Sequence, residues 1–295
     1  MLFLNSIIKP LIYSNVLVSL CVAAFTHLSY ILNDYDRSNM HTILIMVFCF
    51  TYCTYNLQRI IKFQKIMADD SRLGERLKWV RKHLSFLKIS SIMLGIAGLV
   101  CIYFIDYACW NLLIPMGGLS LFYVVPIVPF YKKSPSIRQI PYLKIFVIAL
   151  VWTIVVVGLP YLDSADNSSL IPLHAISLMF QVLTFFLFII GITIPFDIRD
   201  MDYDQKEHLK TIATKFGIYR STGLAVISLF FSLCLFVIVT PQPGRVGIIF
   251  GTLLTAILVG LSYKKRSELF YSGLIESTVL MVWGSVMVSN LLFSL

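Results

Sequence analysis

Five of the chain's fifteen acidic residues fall between Asp197 and Glu207, directly after an apolar run ending in "IIGITIPF". Charges set against such a run are expensive to keep and mark sites of function more often than accidents of a loop. If the helix implied by the run continues through "DIRDMDYD", Asp197, Asp200 and Asp204 stand at i, i+3 and i+7. They then lie within about 60° of one helical face, while Asp202 and Glu207 turn to water. Like charges in a column repel unless a cation sits among them. A hard divalent ion, magnesium, bound by carboxylate oxygens and by a substrate's phosphate, meets that need. Cations suited to phosphate stand nearby in sequence: Lys210, beside Thr211, and Lys132, Lys133 and Arg138 in "VPFYKKSPSIR". Lysine would act there as a point charge and arginine as a fork. The competing reading is a solvated acidic loop flanked by basic residues that only mark the membrane edge.

The elements that must position these residues are set by composition. Hydrophobic residues make up 58% of the 295 and charged residues 13%, against about 25% charged in an ordinary soluble domain. With a mean hydropathy of +0.84, the chain is expected to be a polytopic membrane protein. The six cysteines are scattered through apolar runs without metal-like pairing; Cys49 and Cys53 read as two small interior residues. The first apolar stretch, about 11–32, is longer than a signal-peptide core and lacks a small-x-small exit, so it is expected to be a span.

Nine segments reach the roughly 20 apolar residues that a spanning helix needs: about 11–32, 41–60, 84–105, 111–130, 143–162, 174–196, 220–240, 246–263 and 271–294. Irregular backbone cannot face lipid. The expected fold is therefore all-α, a bundle of nine transmembrane helices forming one domain over residues 1–295. An N-terminus in the cytoplasm places 22 of the 24 Lys and Arg on the inner side, all but Arg37 and Arg245, as the positive-inside rule demands. The net charge of +9 then needs no nucleic-acid partner; topology and anionic lipid account for it. The expected location is the cell's inner membrane, with the site facing the cytoplasm.

This orientation sorts the acids. "NDYDRSN", 33–39, falls outside and is read as a turn, whereas the run from Asp197 falls inside. "RLGERLKWVRKHLSF" reads as an interfacial helix carrying Trp79. The five histidines show no ligand spacing and are assigned structural roles. Glu276 is an acid inside the last span without an evident partner.

On these residues the chain resembles the UbiA family of intramembrane prenyltransferases. Asp200 and Asp204 match that family's second D-x-x-x-D motif and Asp197 an upstream acid; Lys210-Thr211 and Gly217 match the K-T and glycine that follow. Pro129, Lys132 and Lys133 match a Y-P-x-x-K-R motif, with Val128 in place of its tyrosine. The resemblance implies that magnesium, held by Asp197, Asp200 and Asp204, grips a prenyl diphosphate, that Asp200 and Asp204 serve catalysis, and that a hydrophobic acceptor attacks the allylic cation. The family's first motif, N-D-x-x-D-x-x-x-D, departs here: Asn56 is kept, but Leu57, Ile60 and Gln64 replace its aspartates. Arg59, on the face of Asn56, is the expected compensation, with Lys62 beside it; Asp69 and Asp70, read chiefly as helix-start residues, are another source of charge.

Three functions follow: a prenyltransferase acting on an aromatic, quinone-precursor or other lipid-soluble acceptor; a non-catalytic relative binding an isoprenoid or lipid phosphate; and a cation transporter. In the first two, Asn56, Arg59, Lys132, Lys133 and Lys210 are the expected substrate contacts. Transport ranks last because mid-membrane charges are few.

Overall fold

A computed structural model describes residues 2–66, 75–123, 137, 140–164 and 172–293, with side chains described for 8–61 and from 176 in the first and last of these stretches. Among the described residues all regular structure is helical. In chain order, α1 is Leu2–Tyr13, α2 Val16–Leu32, α3 Met40–Ile66, α4 Glu75–Lys82 and α5 Leu84–Ile102; α6 is Trp110–Phe122, α7 Leu143–Thr153 and α8 Leu159–Ser164. The long α9, Pro172–Lys206, is followed by α10 Ile212–Val239, α11 Gly244–Gly260 and α12 Glu276–Phe293. Single π-helical stretches, Ile154–Gly158 and Phe270–Ile275, join α7 to α8 and lead into α12.

Seven of the described helical segments are long and apolar enough to cross a membrane; Val16–Leu32 and Tyr107–Phe122 are shorter apolar helices. Large apolar side chains stand exposed along the outer faces, among them Met93 and Leu99 on α5, Phe230 on α10 and Ile257 on α11. Such a belt is untenable in water and suits hydrocarbon.

Within the bundle α9 packs along α10 and α7, α11 along α12, and α2 between α3 and α12. An aromatic knot of Phe25, Phe185, Phe188 and Phe236 ties α2, α9 and α10, with ring centroids 5.1 to 6.3 Å apart. Lipid offers no hydrophobic drive between helices, so small residues and hydrogen bonds take over. Ser228 and Ser232 on α10 donate to the carbonyls of Leu187 and Thr184 on α9, at 2.7 and 2.8 Å. On α11, Gly247 and Gly251 let the backbone of α12 approach.

Two local features bear directly on the candidate site. The first apolar stretch is not one helix: it breaks at Asn15, whose φ of 67° is left-handed. Its side chain is drawn into a polar contact rather than a helical turn, and asparagine tolerates that backbone. Conversely α9 does not stop at the membrane edge. It continues past Pro195 through Lys206, which keeps Asp197, Asp200 and Asp204 in one helical register. The turn at 33–39 connects α2 to α3, with Asp36 accepting from Ser38.

Candidate functional site

At the shared end of α3, α7, α9 and the helix led by Phe270–Ile275, a cavity of about 300 Å³ is walled by Arg59, Arg76, Lys144, Arg199, Asp200, Glu268 and Glu276, with apolar residues beneath. Each helix contributes charge at one end of the cavity and apolar surface further along. On α9 the sequence runs from Asp200 and Arg199 back through Phe196 to Ile192 and Ile189; on α7 it runs from Lys144 through Ile148 to Trp152.

The cation among the stacked carboxylates is a lysine. Lys144 Nζ lies 2.7 Å from Asp197 Oδ1 and 3.7 Å from Asp204 Oδ2, and all three side chains are buried. Lys144 opens α7, and the chain just before it is fixed by Tyr142, left-handed at φ 62°, whose N–H donates to the carbonyl of Lys210 at 2.9 Å. Two carboxylates and one ammonium satisfy the electrostatic demand of a column at two of its three positions.

The third position faces the cavity. Asp200 accepts a bidentate pair from Arg199 at 2.8 and 3.2 Å. Adjacent residues on a helix do not face one another, so the arginine must fold back to make the fork; it also covers the Phe196 ring at 5.1 Å. Ser272 Oγ accepts from Arg199 at 2.7 Å and from Arg76 at 2.9 Å, and Arg76 further meets Glu268 at 3.2 Å. Burial and then the charge of Arg199 hold the Arg76 guanidinium below its ordinary range, a shift that Glu268 and Glu276 oppose.

Asn56 enters this network indirectly. It is fully buried and lies off the cavity wall: its amide donates to the carbonyls of Ser14 and Tyr52, and its Oδ1 accepts from Asn15. Asn15 Oδ1 in turn accepts from Arg76 at 3.1 Å. The break between α1 and α2 thus holds Arg76, on α4, over the cavity. Lys9 at 2.5 Å and Tyr13 add contacts to Glu75 at the start of α4. The hydrogen bond from Lys9 holds the Glu75 carboxyl below its usual range, and burial with the nearby Glu75 pushes the Tyr13 phenol up to about 12.

Arg59 and the neighbouring Gln58 line the cavity. Lys210 is exposed and lies off its wall, and Thr211 caps α10, its hydroxyl accepting from Thr214. Asp202 and Glu207 are exposed, Asp202 pairing with Lys265. Lys132, Lys133, Arg138, Pro129, Val128, Asp69 and Asp70, and the side chains of Lys62 and Gln64, lie outside the described residues. His27 Nδ1 accepts from Trp283 and His83 stacks on Trp79. Sequence reasoning missed Arg76, Arg199 and Lys144 as site residues. The available signal was charge inside an apolar span for Lys144 and Arg199; nothing local marked Arg76.

A second cavity, about 690 Å³ and almost wholly apolar, lies between α3, α5, α6 and α7. Tyr55 and Trp152 belong to the walls of both cavities, and Trp152 Nε1 donates to Tyr55 Oη at 3.1 Å. A charged chamber set beside an apolar one, with an aromatic pair in the walls of both, suits an amphiphile with a polar head and a hydrocarbon tail.

The charge count bears on a metal. The walls carry four bases, Arg59, Arg76, Lys144 and Arg199, and three acids, Asp200, Glu268 and Glu276, but Lys144 is engaged by Asp197 and Asp204, Arg76 by Glu268 and Arg199 by Asp200, so most of the positive charge is already countered. Among the described residues no three His, Cys, Asp or Glu side chains are grouped to hold a metal by themselves. The donor set therefore fits a magnesium shared between one protein carboxylate and phosphate oxygens, the arrangement that ion favours.

Comparison with known proteins agrees with this architecture. Residues 80–269 match the UbiA prenyltransferase family, and no curated protein matches the chain in sequence. The fold is similar to an apo UbiA homologue from Aeropyrum pernix K1, with a TM-score of 0.67, 14% identity, and 94% of this chain and 98% of that one covered. It is also similar to a UbiA homologue from Archaeoglobus fulgidus bound to GPP and Mg2+, with a TM-score of 0.65, 13% identity, and coverage of 95% and 99%. A digeranylgeranylglyceryl phosphate synthase superimposes with a TM-score of 0.56 at 16% identity, over 97% and 98% of the two chains. With the family matched across most of its length and the bundle reproduced, the chain belongs to the UbiA prenyltransferase family.

Proposed function

We propose that this protein is an integral-membrane prenyltransferase that binds a prenyl diphosphate with its head in the charged cavity and its tail in the apolar one. The observation that carries this reading is that the charged and the apolar chamber lie against each other, with Tyr55 and Trp152 in the walls of both. The A. fulgidus homologue bound to GPP and Mg2+ supports the same class of substrate. Asp200 would hold the magnesium together with the diphosphate; when bound, the ion supplies charge neutralisation for the leaving group. Arg59 and Arg76 bind diphosphate oxygens, and Arg199 orients Asp200 through its fork. Asp197 and Asp204, through Lys144, fix the helix that presents Asp200. The Tyr55 and Trp152 ring faces shield the allylic cation from water as the carbon–oxygen bond opens and its electron pair leaves with pyrophosphate.

The same reading takes the seven long and two short apolar helices as nine crossings of one domain, with the N-terminus cytoplasmic and the charged cavity opening to that side of the inner membrane. The distribution of Lys and Arg supports it. Lys132 and Lys133 would add to the diphosphate site from the connection after α6.

A second reading, a relative that binds an isoprenoid diphosphate without transferring it, is favoured by Leu57, Ile60 and Gln64 at the aspartate positions of the first motif and by Lys144 between two acids of the second. The deciding experiment uses purified protein with magnesium and labelled geranyl diphosphate. Release of pyrophosphate supports transfer. Saturable binding without release, across a panel of hydroxyl and amine acceptors, supports the binding role.

A further inference from the structure

Glu276 is the acid in the cavity that the reading above leaves without work. It begins α12 immediately after the π-helical stretch Phe270–Ile275, a kind of irregularity that often re-aims a side chain at a functional site. It lies eight residues beyond Glu268 in the same helical segment, and the two acids are within electrostatic reach of each other. There it shares the wall with Tyr55, Trp152, Ile192 and Val279, and it lies within electrostatic reach of Tyr55, Arg76 and Arg199.

What separates Glu276 from its neighbours is its partners. Asp200 is held by Arg199 and Glu268 by Arg76, whereas among the described residues the Glu276 carboxylate makes no hydrogen bond and no ion pair. Glu276 is half-buried against the cavity, and a carboxylate there without a partner is open to a donor. It is retained most economically where a ligand supplies the missing donor. The position matches the chemistry: the junction of charged and apolar chambers is where the reactive carbon of a prenyl diphosphate would sit, with its head toward Asp200 and its tail past Trp152.

Resting on the prenyl-transfer reading, we propose that Glu276 is the acceptor site: it receives a hydrogen bond from an uncharged, hydroxyl-bearing acceptor and takes its proton as transfer occurs. The allylic carbon–oxygen bond breaks and its electron pair leaves with pyrophosphate. A lone pair of the acceptor oxygen forms the new carbon–oxygen bond, and the hydroxyl proton passes to a Glu276 carboxylate oxygen and then to water. The same carboxylate repels an acceptor whose reacting end is itself anionic. The predicted substrate class is therefore a neutral phenol or alcohol on an apolar body, and not a carboxylate.

The test uses the full-length protein in nanodiscs with magnesium, geranyl diphosphate, and two probes of matched body, 4-butylphenol and 4-butylbenzoate. Wild type should bind the phenol at least tenfold more tightly than the benzoate and form the geranyl ether. Glu276→Gln should keep its geranyl diphosphate affinity within twofold of wild type, which shows the site intact, yet lose ether formation by 100-fold or more and bind both probes alike. Glu276→Asp should still reject the benzoate. Phenol turnover by Glu276→Gln within threefold of wild type, or a wild type that does not prefer the phenol, overturns the assignment while leaving prenyl diphosphate binding intact. A wild type that binds no geranyl diphosphate instead overturns the prenyl-transfer reading beneath it.

Discussion

Lys144 carries the sharpest consequence at the residue scale. Its ammonium lies between Asp197 and Asp204 in a buried setting, and removing one partner of such a group leaves uncompensated charge at a cost of about 3–5 kcal/mol. Lys144→Met, of similar volume, is therefore expected to lower the thermal midpoint in detergent by many degrees, and adding Asp204→Asn should recover part of the loss. Arg59 and Lys210 provide a second contrast, because both read as phosphate contacts in sequence while only Arg59 lines the cavity. Arg59→Ala should weaken geranyl diphosphate binding about tenfold, the scale of one charge-assisted contact; Lys210→Ala should leave it unchanged. Titration calorimetry distinguishes them. The aspartate register was legible because a helical period needs only local sequence. Lys144 was not, because its pairing joins residues on different helices, and counting it among the inner-side charges hid its role. Asn56 was legible as a residue of interest, but its bonds to Ser14, Tyr52 and Asn15 depend on a helix break that no residue pattern announced.

Helices that pack through glycine should be sensitive in proportion to how closely their neighbours approach. A Cβ on Gly247 would stand 2.4 Å from the Ser285 carbonyl oxygen and 2.6 Å from Val286 Cα, whereas one on Gly284 meets nothing within 4 Å. Gly247→Ala must push α11 off α12 and should cost about 1–3 kcal/mol. Gly284→Ala should be neutral or stabilising by about 0.5–1 kcal/mol through helix propensity, and thermal unfolding of the two variants compares them directly. Because the last helix carries Glu268, Ser272 and Glu276, Gly247→Ala should also weaken diphosphate binding. Most element positions were readable from hydropathy, since an unbroken apolar stretch in lipid has one way to satisfy its backbone. The readings erred where side-chain chemistry overrode that rule. Asn15 breaks the first stretch for the sake of a hydrogen-bond network, whereas α9 continues through its acids as the aspartate column requires.

Across the whole molecule, function depends on a gradient: charge at one end of α3, α7, α9 and the last helix, aromatic residues at the junction, and hydrocarbon beyond. The membrane class and the helical fold followed from composition alone. The two chambers did not, because a cavity is the space left between helices distant in sequence. Three of the cavity's four bases, Arg76, Lys144 and Arg199, are already paired with acids, so affinity for an anionic head is expected to depend on a divalent cation and on the carboxylate that faces it. Equilibrium binding of labelled geranyl diphosphate to wild type and Asp200→Asn, each with magnesium and with excess chelator, examines that dependence most directly. Wild type should lose at least tenfold in affinity on chelation, and Asp200→Asn should start weaker and respond little to magnesium. Equal affinity in all four conditions would contradict the assignment of the charged cavity as a magnesium-dependent diphosphate site.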